Sequence, residues 1–221
     1  MSARAPYRDV LDKWQAHWPE WTVAEAFIPA AQRELARGWL ALRGEWADAA
    51  WAGEDPTPGM AKLAWWQEEL RGWARGAYRH PLGQLLQKQP AAWAALADAL
   101  PQLAASRSVQ GDLGSAVRGL ESAALGLAEV AAALFGGVPA EPQDVAVTLL
   151  AERALRLPPS GVQGALGARG LLRLPPLADA SRPERLHASL LRMRLQRRAA
   201  GREGARSRWR VLLASWRAAR G

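Results

Sequence analysis

Apolar residues recur every three to four positions along most of the chain, a spacing that predicts amphipathic helices. In the segment 30–52, Leu35, Trp39, Leu42 and Trp46 fall on one helical face. Prolines and glycines at 53–59 end that helix. The same reading predicts helices at about 7–18, 60–78, 91–105, 113–135, 144–155, 182–198 and 205–220, and an irregular glycine-rich segment at 160–176.

Two segments carry more specific expectations. The segment 113–135 is rich in small residues nearly all round, which predicts one unbroken helix at the centre of a bundle. Thr22 and Glu25 have the spacing of a capping box, in which each side chain satisfies a free backbone N–H at a helix start.

Composition supports an all-α fold. The 221 residues include one Ile, ten Val and three Thr, whereas Ala, Leu, Arg, Glu and Gln are abundant. The abundant residues lose little conformational freedom on entering a helix. Since no long linker divides the chain, we expect a single helical-bundle domain over 1–221, with a basic C-terminal segment at 181–221.

Several classes of protein are excluded or disfavoured by what the chain lacks. Without cysteine there is no disulfide framework, thiolate nucleophile or Cys-ligated metal. His17, His80 and His187 are too far apart for a local metal motif. The N-terminus has no signal-like apolar run, and no stretch approaches the ~20 apolar residues of a membrane span, so a cytoplasmic location is expected.

The positive charge is concentrated at one end. The chain carries +8 overall, but residues 181–221 hold 12 Arg and two Glu, giving +10, and the first 180 residues carry −2. The high isoelectric point is therefore a property of the last fifth of the chain and does not indicate a general nucleic-acid surface.

The segment 59–86 resembles the squalene/phytoene synthase family. The resemblance joins a basic residue, an apolar residue, a tryptophan pair, an acidic pair and a His-Pro step at fixed spacing; here these are Lys62, Leu63, Trp65, Trp66, Glu68, Glu69, His80 and Pro81. Weaker similarity extends to about residue 176. The resemblance implies an isoprenoid-synthase-like helical fold and, in the catalytic members, head-to-head joining of two prenyl diphosphates.

That chemistry requires Mg²⁺ held by two acid-rich motifs on facing helices, because the departing diphosphate must be neutralised. Near the first motif this chain has Glu45 and Asp48, three residues apart, and no pair of acids four residues apart. At the second motif, residues 154–176 contain no Asp or Glu. One wall of the metal site is therefore missing from the sequence.

The chain is more similar to the non-catalytic branch of the family, which includes an assembly factor for mitochondrial respiratory complex I. Glu45-Trp46-Ala47 and Leu155-Arg156-Leu157-Pro158 resemble the reduced motifs of that branch. The expected function is non-catalytic binding of a lipid or isoprenoid, or of a protein partner at the membrane, without a cofactor.

The alternative is an active prenyltransferase with rearranged Mg²⁺ ligands. We find six acids that could supply such ligands: Glu45, Asp48, Glu68, Glu69, Asp144 and Glu152.

Four residues are candidates for a ligand pocket: Glu45, Asp48, Trp66 and Glu69. The competing interpretation is that the acids lie on a solvated helix face and that the tryptophans pack the core. Trp65 and Trp66 cannot both face the core, since adjacent helical positions point about 100° apart.

The C-terminal helix supplies a second candidate surface. Trp209, Leu212, Leu213 and Trp216 follow helical spacing, and arginines flank them. A basic amphipathic helix can lie on an anionic membrane, so peripheral association with the inner membrane is one expectation. The alternative is that the apolar stripe docks on the core. The candidate surface comprises Arg206, Trp209, Arg210, Trp216 and Arg217; nucleic acid is not an expected partner.

Overall fold

The computed structural model describes residues 5–108, 111–158, 164–202 and 207–220, and this part of the chain is helical, with no strand. The α-helices are α1 Tyr7–His17, α2 Trp21–Ala24, α3 Ala30–Trp51, α4 Thr57–Ala74, α5 Gly83–Leu86, α6 Trp93–Ala99, α7 Pro101–Ala105, α8 Leu113–Arg118, α9 Glu121–Phe135, α10 Pro142–Arg156, α11 Ala168–Leu171, α12 Arg182–Ala199 and α13 Arg208–Arg220. Short 3₁₀ turns occupy Glu25–Phe27, Ser106–Ser108 and Gly164–Leu166. The predicted all-α class is confirmed.

The long helix α3 organises the bundle. It packs against α1, α4, α5, α7 and α10. Of its predicted stripe, Trp39, Leu42 and Trp46 are buried and Leu35 is partly buried. The helix begins at Ala30, directly after Pro29. Gly59 allows α4 to approach closely, because a Cβ at this position would lie 2.0 Å from the carbonyl oxygen of Ala49 on α3.

Five buried tryptophans form a closed ring between α3, α4 and α6. Consecutive ring centroids are 5.1 to 6.4 Å apart, and most pairs meet edge to face, the geometry that indole quadrupoles favour. The ring fills this part of the bundle with side chains, and its members are Trp39, Trp46, Trp66, Trp73 and Trp93.

The predicted unbroken helix over 113–135 is wrong. Gly119 ends α8, and Leu120 has a non-helical backbone (φ −112°, ψ 5°) before α9 begins. Glycine is a poor helix former, and at this point the chain also buries Leu120 completely. The helix α9 exposes one face, which includes Leu125, so it does not lie at the centre of the bundle as predicted. Gly136, with φ of 78°, ends it.

Two smaller expectations also differ from the structure. The capping box is not formed: α2 begins at Trp21, and the Thr22 hydroxyl accepts a hydrogen bond from Gln15 instead. The segment expected to be irregular contains α11, which lies against α12. Residues 159–163 of that segment are outside the described part of the chain.

The C-terminal helices complete the bundle. The helix α12 packs on α10, α11 and α13, and α13 lies across α12 and α2. The apolar core extends without interruption from Leu11 on α1 to Val211 on α13. The helices of the basic segment are therefore attached to the bundle, and two of its arginines, Arg182 and Arg194, contact the N-terminal region.

Candidate functional site

Glu45 and Asp48 share one face of α3, and a cation engages each carboxylate. Lys62 Nζ lies 2.5 Å from Glu45 Oε2, and Arg156 Nε lies 2.8 Å from Asp48 Oδ1. Both acids line a cavity of about 210 Å³ between α1, α3, α10 and α12. A cationic ligand in this cavity would have to displace a side chain that is already bound to each acid.

Trp66 and Glu69 do not line that cavity. Trp66 is fully buried in the tryptophan ring, where its face lies against His80 with a centroid distance of 4.6 Å. Its neighbour Trp65 is partly exposed, as the helical geometry requires. The four candidate pocket residues therefore belong to two separate environments.

Glu69 anchors the loop that follows α4. Its carboxylate accepts hydrogen bonds from the backbone N–H groups of Arg79 (2.7 Å) and His80 (2.8 Å), from Trp73 Nε1 (2.9 Å) and from Arg79 Nε (3.0 Å). Burial raises the pKa of Glu69, but the hydrogen bonds outweigh it and the net pKa lies below its usual value. Glu69 is thus an ionised, fully bonded structural carboxylate.

A charged cluster lies in the core between α3, α10 and α12. Arg43, two residues before Glu45, donates to Glu184 and to Glu152 Oε1, the latter at 2.9 Å. All three side chains are at least nine-tenths buried. Sequence reasoning missed this cluster, because its partners come from segments more than 100 residues apart and no local pattern marks them.

His187 lies beside this cluster and is neutral. Burial, followed by the charges of Arg43, Arg156 and Arg194, lowers the pKa of His187 well below its ordinary value. Its Nδ1 lies 3.8 Å from Glu152 Oε1, but a neutral ring at that distance makes no ion pair. The ring packs instead against Trp18, with centroids 4.8 Å apart.

The six acids considered for an active prenyltransferase do not converge on one cavity. Glu68 pairs with Arg71 at the surface, Glu69 holds the loop, and Glu152 is bound to Arg43 in the core. Asp144 lines a different cavity from Glu45 and Asp48. Within the described ranges, no group of three or more His, Asp or Glu side chains is arranged to hold a metal ion.

The helix α13 docks on the bundle by a face other than its predicted apolar stripe. Val211 and Ser215 are buried, and Arg185 Nε on α12 donates to the Ala218 carbonyl at 2.9 Å. The stripe faces outward. Its four members are 77%, 37%, 47% and 42% exposed, in the order Trp209, Leu212, Leu213, Trp216.

Arginines flank the exposed stripe. Arg210, Arg217 and Arg220 lie on the same helix, which contains no acidic residue, and Arg220 stacks on Trp216 at 4.2 Å. Arg206, the fifth member of the predicted surface, is outside the described residues. The expectation that this stripe docks on the core is therefore wrong: the helix docks, but the stripe does not.

A cleft of about 700 Å³ opens beside the first turn of α13. The start of α2, the end of α10 and the last turns of α12 form its other walls. Its lining includes one acid, Glu20, and five arginines: Arg194, Arg197, Arg198, Arg202 and Arg208.

Comparisons with protein-family models, with curated proteins and with solved structures find no significant match to this chain. In the part of the chain that the structure describes, no helix is long and apolar enough to cross a membrane.

Proposed function

We propose that this protein is a non-catalytic relative of the squalene/phytoene synthases that binds the surface of anionic membranes through α13. The observation that carries the proposal is the outward-facing stripe of Trp209, Leu212, Leu213 and Trp216 with its arginine border. Adjacent exposed large apolar residues on a docked helix mark an interaction surface.

The chemistry of the stripe favours a lipid bilayer. Tryptophan prefers the membrane–water interface, where its ring is in an apolar environment and its N–H remains hydrated. Arg210, Arg217 and Arg220 can contact anionic headgroups while the apolar residues enter the boundary between headgroups and acyl chains. Because α13 is already docked and helical, binding does not require a segment to fold.

The charge distribution supports a peripheral attachment at the cytoplasmic face of the inner membrane. The segment 181–221 carries +10, whereas the remainder carries −2. Anionic lipids attract such a segment by about 1 kcal/mol per basic residue near the surface, and the remainder supplies no comparable attraction. The charge asymmetry would therefore orient the protein with α13 toward the bilayer.

Vesicle sedimentation tests the proposal. We expect the protein to sediment with phosphatidylcholine vesicles containing phosphatidylglycerol, and much less with phosphatidylcholine alone. The double variant Trp209→Ser/Trp216→Ser should lose about tenfold or more in affinity for these vesicles, because it removes two aromatic side chains that would enter the bilayer. Trp65→Ser removes an exposed tryptophan from another face and is the matched control.

Equal sedimentation of the Trp209→Ser/Trp216→Ser variant and the wild type would overturn the membrane proposal. Unchanged far-UV circular dichroism and melting temperature would show that the variant keeps the fold. A parallel titration with duplex DNA addresses the competing partner. Tighter binding to DNA than to anionic vesicles, weakened in Arg210→Gln/Arg217→Gln, would favour nucleic acid instead.

We infer that the protein is non-catalytic from the acidic residues at the two motifs that would have to hold Mg²⁺. Residues 154–176 contain none, and the acids near the first motif are each paired with a cation. We expect no product when the protein is incubated with farnesyl or geranylgeranyl diphosphate and Mg²⁺. Release of diphosphate with formation of a coupled product would instead support the active prenyltransferase.

A further inference from the structure

Among the described residues that line the cleft, five are arginines and one, Glu20, is an acid. Arg194 pairs with Glu20 at 2.7 Å and lies over the Trp18 ring at 3.6 Å, so this one cation is compensated. Burial, followed by the charge of nearby Arg156, lowers the pKa of Arg194 to about 10.

Two of the remaining arginines have structural partners. Arg198 donates to the carbonyl oxygens of Leu155 (3.0 Å) and Leu157 and thereby closes the C-terminus of α10. Arg197 makes one long contact, of 3.4 Å, to the Arg202 carbonyl. Basic side chains at helix C-termini satisfy free carbonyls and need no ligand to explain them.

Arg202 and Arg208 are different. The side chain of neither makes a hydrogen bond or ion pair to any described residue, although both line the cleft. Arg202 follows α12, and Arg208 begins α13. Two guanidinium groups that face one cavity repel each other, and an anion between them relieves that repulsion.

We propose that this cleft binds a phosphate monoester, presented at the membrane as the headgroup of phosphatidic acid. Guanidinium groups bind phosphate oxygens by paired hydrogen bonds, and a dianionic monoester can satisfy two arginines where a monoanionic diester satisfies one. The cleft has room for a headgroup. This inference rests on the proposed membrane function, because α13 has to bring the cleft to the bilayer.

The position of α13 explains how a headgroup could reach the cleft. Arg208 faces the cleft, while the adjacent Trp209 is 77% exposed on the outer side of the same turn. A helix whose stripe enters the headgroup layer would therefore hold its first turn, and the mouth of the cleft, at the level of lipid phosphates.

Vesicles of phosphatidylcholine mixed with either phosphatidic acid or phosphatidylglycerol, matched in surface potential, test the inference. The wild type should bind the phosphatidic acid vesicles about tenfold more tightly. Arg202→Gln/Arg208→Gln should remove this preference and leave binding to phosphatidylglycerol within about threefold. Arg210→Gln/Arg217→Gln, which removes two arginines from the outer border, is the matched control and should weaken both equally.

Inorganic phosphate distinguishes the two sources of the anion. If the site takes a lipid headgroup, free phosphate should compete only weakly with phosphatidic acid vesicles for the protein. In calorimetry, free phosphate should bind the wild type but not Arg202→Gln/Arg208→Gln. Phosphate binding to the cleft without binding to any vesicle would support an anion site and overturn the membrane function. Equal affinity of the wild type for the two vesicles, or a preference retained in the Arg202→Gln/Arg208→Gln variant, would overturn the inference.

Discussion

Trp39 donates its indole N–H to Glu184 Oε1 at 2.6 Å, although the two residues are 145 positions apart. The same carboxylate accepts a hydrogen bond from Arg43, which also holds Glu152. These bonds tie the C-terminal helix α12 to α3 and α10. They also mean that the interior face of α3, on which Arg43 lies two residues before Glu45, is occupied by a paired guanidinium and by tryptophan rings.

Replacing Arg43 with Met should destabilise the protein by about 3–5 kcal/mol, because Glu152 and Glu184 would lose their shared cation while remaining buried. Arg37→Met, on the same helix, is the control. Arg37 lies 3.6 Å from Glu25 and is partly exposed, so its loss should cost no more than about 1 kcal/mol. Urea denaturation measures both, and equal losses would contradict the role assigned to Arg43.

Neighbouring glutamates on α4 should respond very differently to the same substitution. Glu69→Gln places an amide N–H₂ among four donors, so we expect a loss of about 2–3 kcal/mol. Glu68→Gln breaks only an exposed pair with Arg71 and should change stability by less than about 1 kcal/mol. Thermal melts of the two variants provide the comparison, and a smaller loss for Glu69→Gln than for Glu68→Gln would refute it.

The contribution of Glu69 to the stability of the fold should depend on pH, because the pKa of its carboxyl is lowered in the folded protein. The folded carboxyl holds its proton less tightly than the unfolded one, whose pKa is near 4.5. Its contribution to stability is therefore complete above that value and is lost as the pH falls through the lower, folded value. Compared with the wild type, the Glu69→Gln variant should lose less stability between pH 5 and the acid transition.

Gly59 should tolerate no side chain. A Cβ there would lie 2.0 Å from the Ala49 carbonyl oxygen, and this atom is backbone that cannot move without shifting α3. We expect Gly59→Ala to cost about 1–3 kcal/mol in spite of the better helix propensity of alanine. Gly119→Ala is the control: its φ of −65° suits alanine and its nearest contacts are 3.4 Å or longer, so stability should be unchanged or slightly raised. Equal melting temperatures of the two variants would contradict the steric argument.

The sequence predicted the helices well where tryptophan and leucine mark a buried face. The stripe through Trp39 and Trp46 predicted both the extent and the buried side of α3. It failed between α8 and α9, where an alanine-rich run gives no periodic signal and the backbone leaves the helical region at Leu120. Local pattern is informative only where one face differs clearly from the other.

The candidate surfaces were predictable to different degrees. The stripe on α13 was visible in the sequence, but its outward orientation was not, because the docking face consists of small residues such as Ser215 and Ala218 that carry little hydrophobic signal. Glu68 and Glu69 are indistinguishable in composition, and only the fold places one in solvent and the other among backbone N–H groups.

Lowering the pH from 7.5 to 5.5 should destabilise the protein through His187. Arg43 on α3, Glu152 and Arg156 on α10, and Arg194 on its own helix surround the ring, and burial with the three arginines keeps it neutral. The unfolded chain binds a proton below about pH 6.5 that the folded chain rejects, so stability is complete above that pH and falls as the pH decreases. The loss can reach about 1.4 kcal/mol per pH unit. When the free energy of unfolding is measured by urea titration at several pH values, it should change less steeply with pH in His187→Gln than in the wild type. Part of the pH dependence should remain because burial also lowers the pKa of His80. An unchanged slope in His187→Gln would refute the assignment.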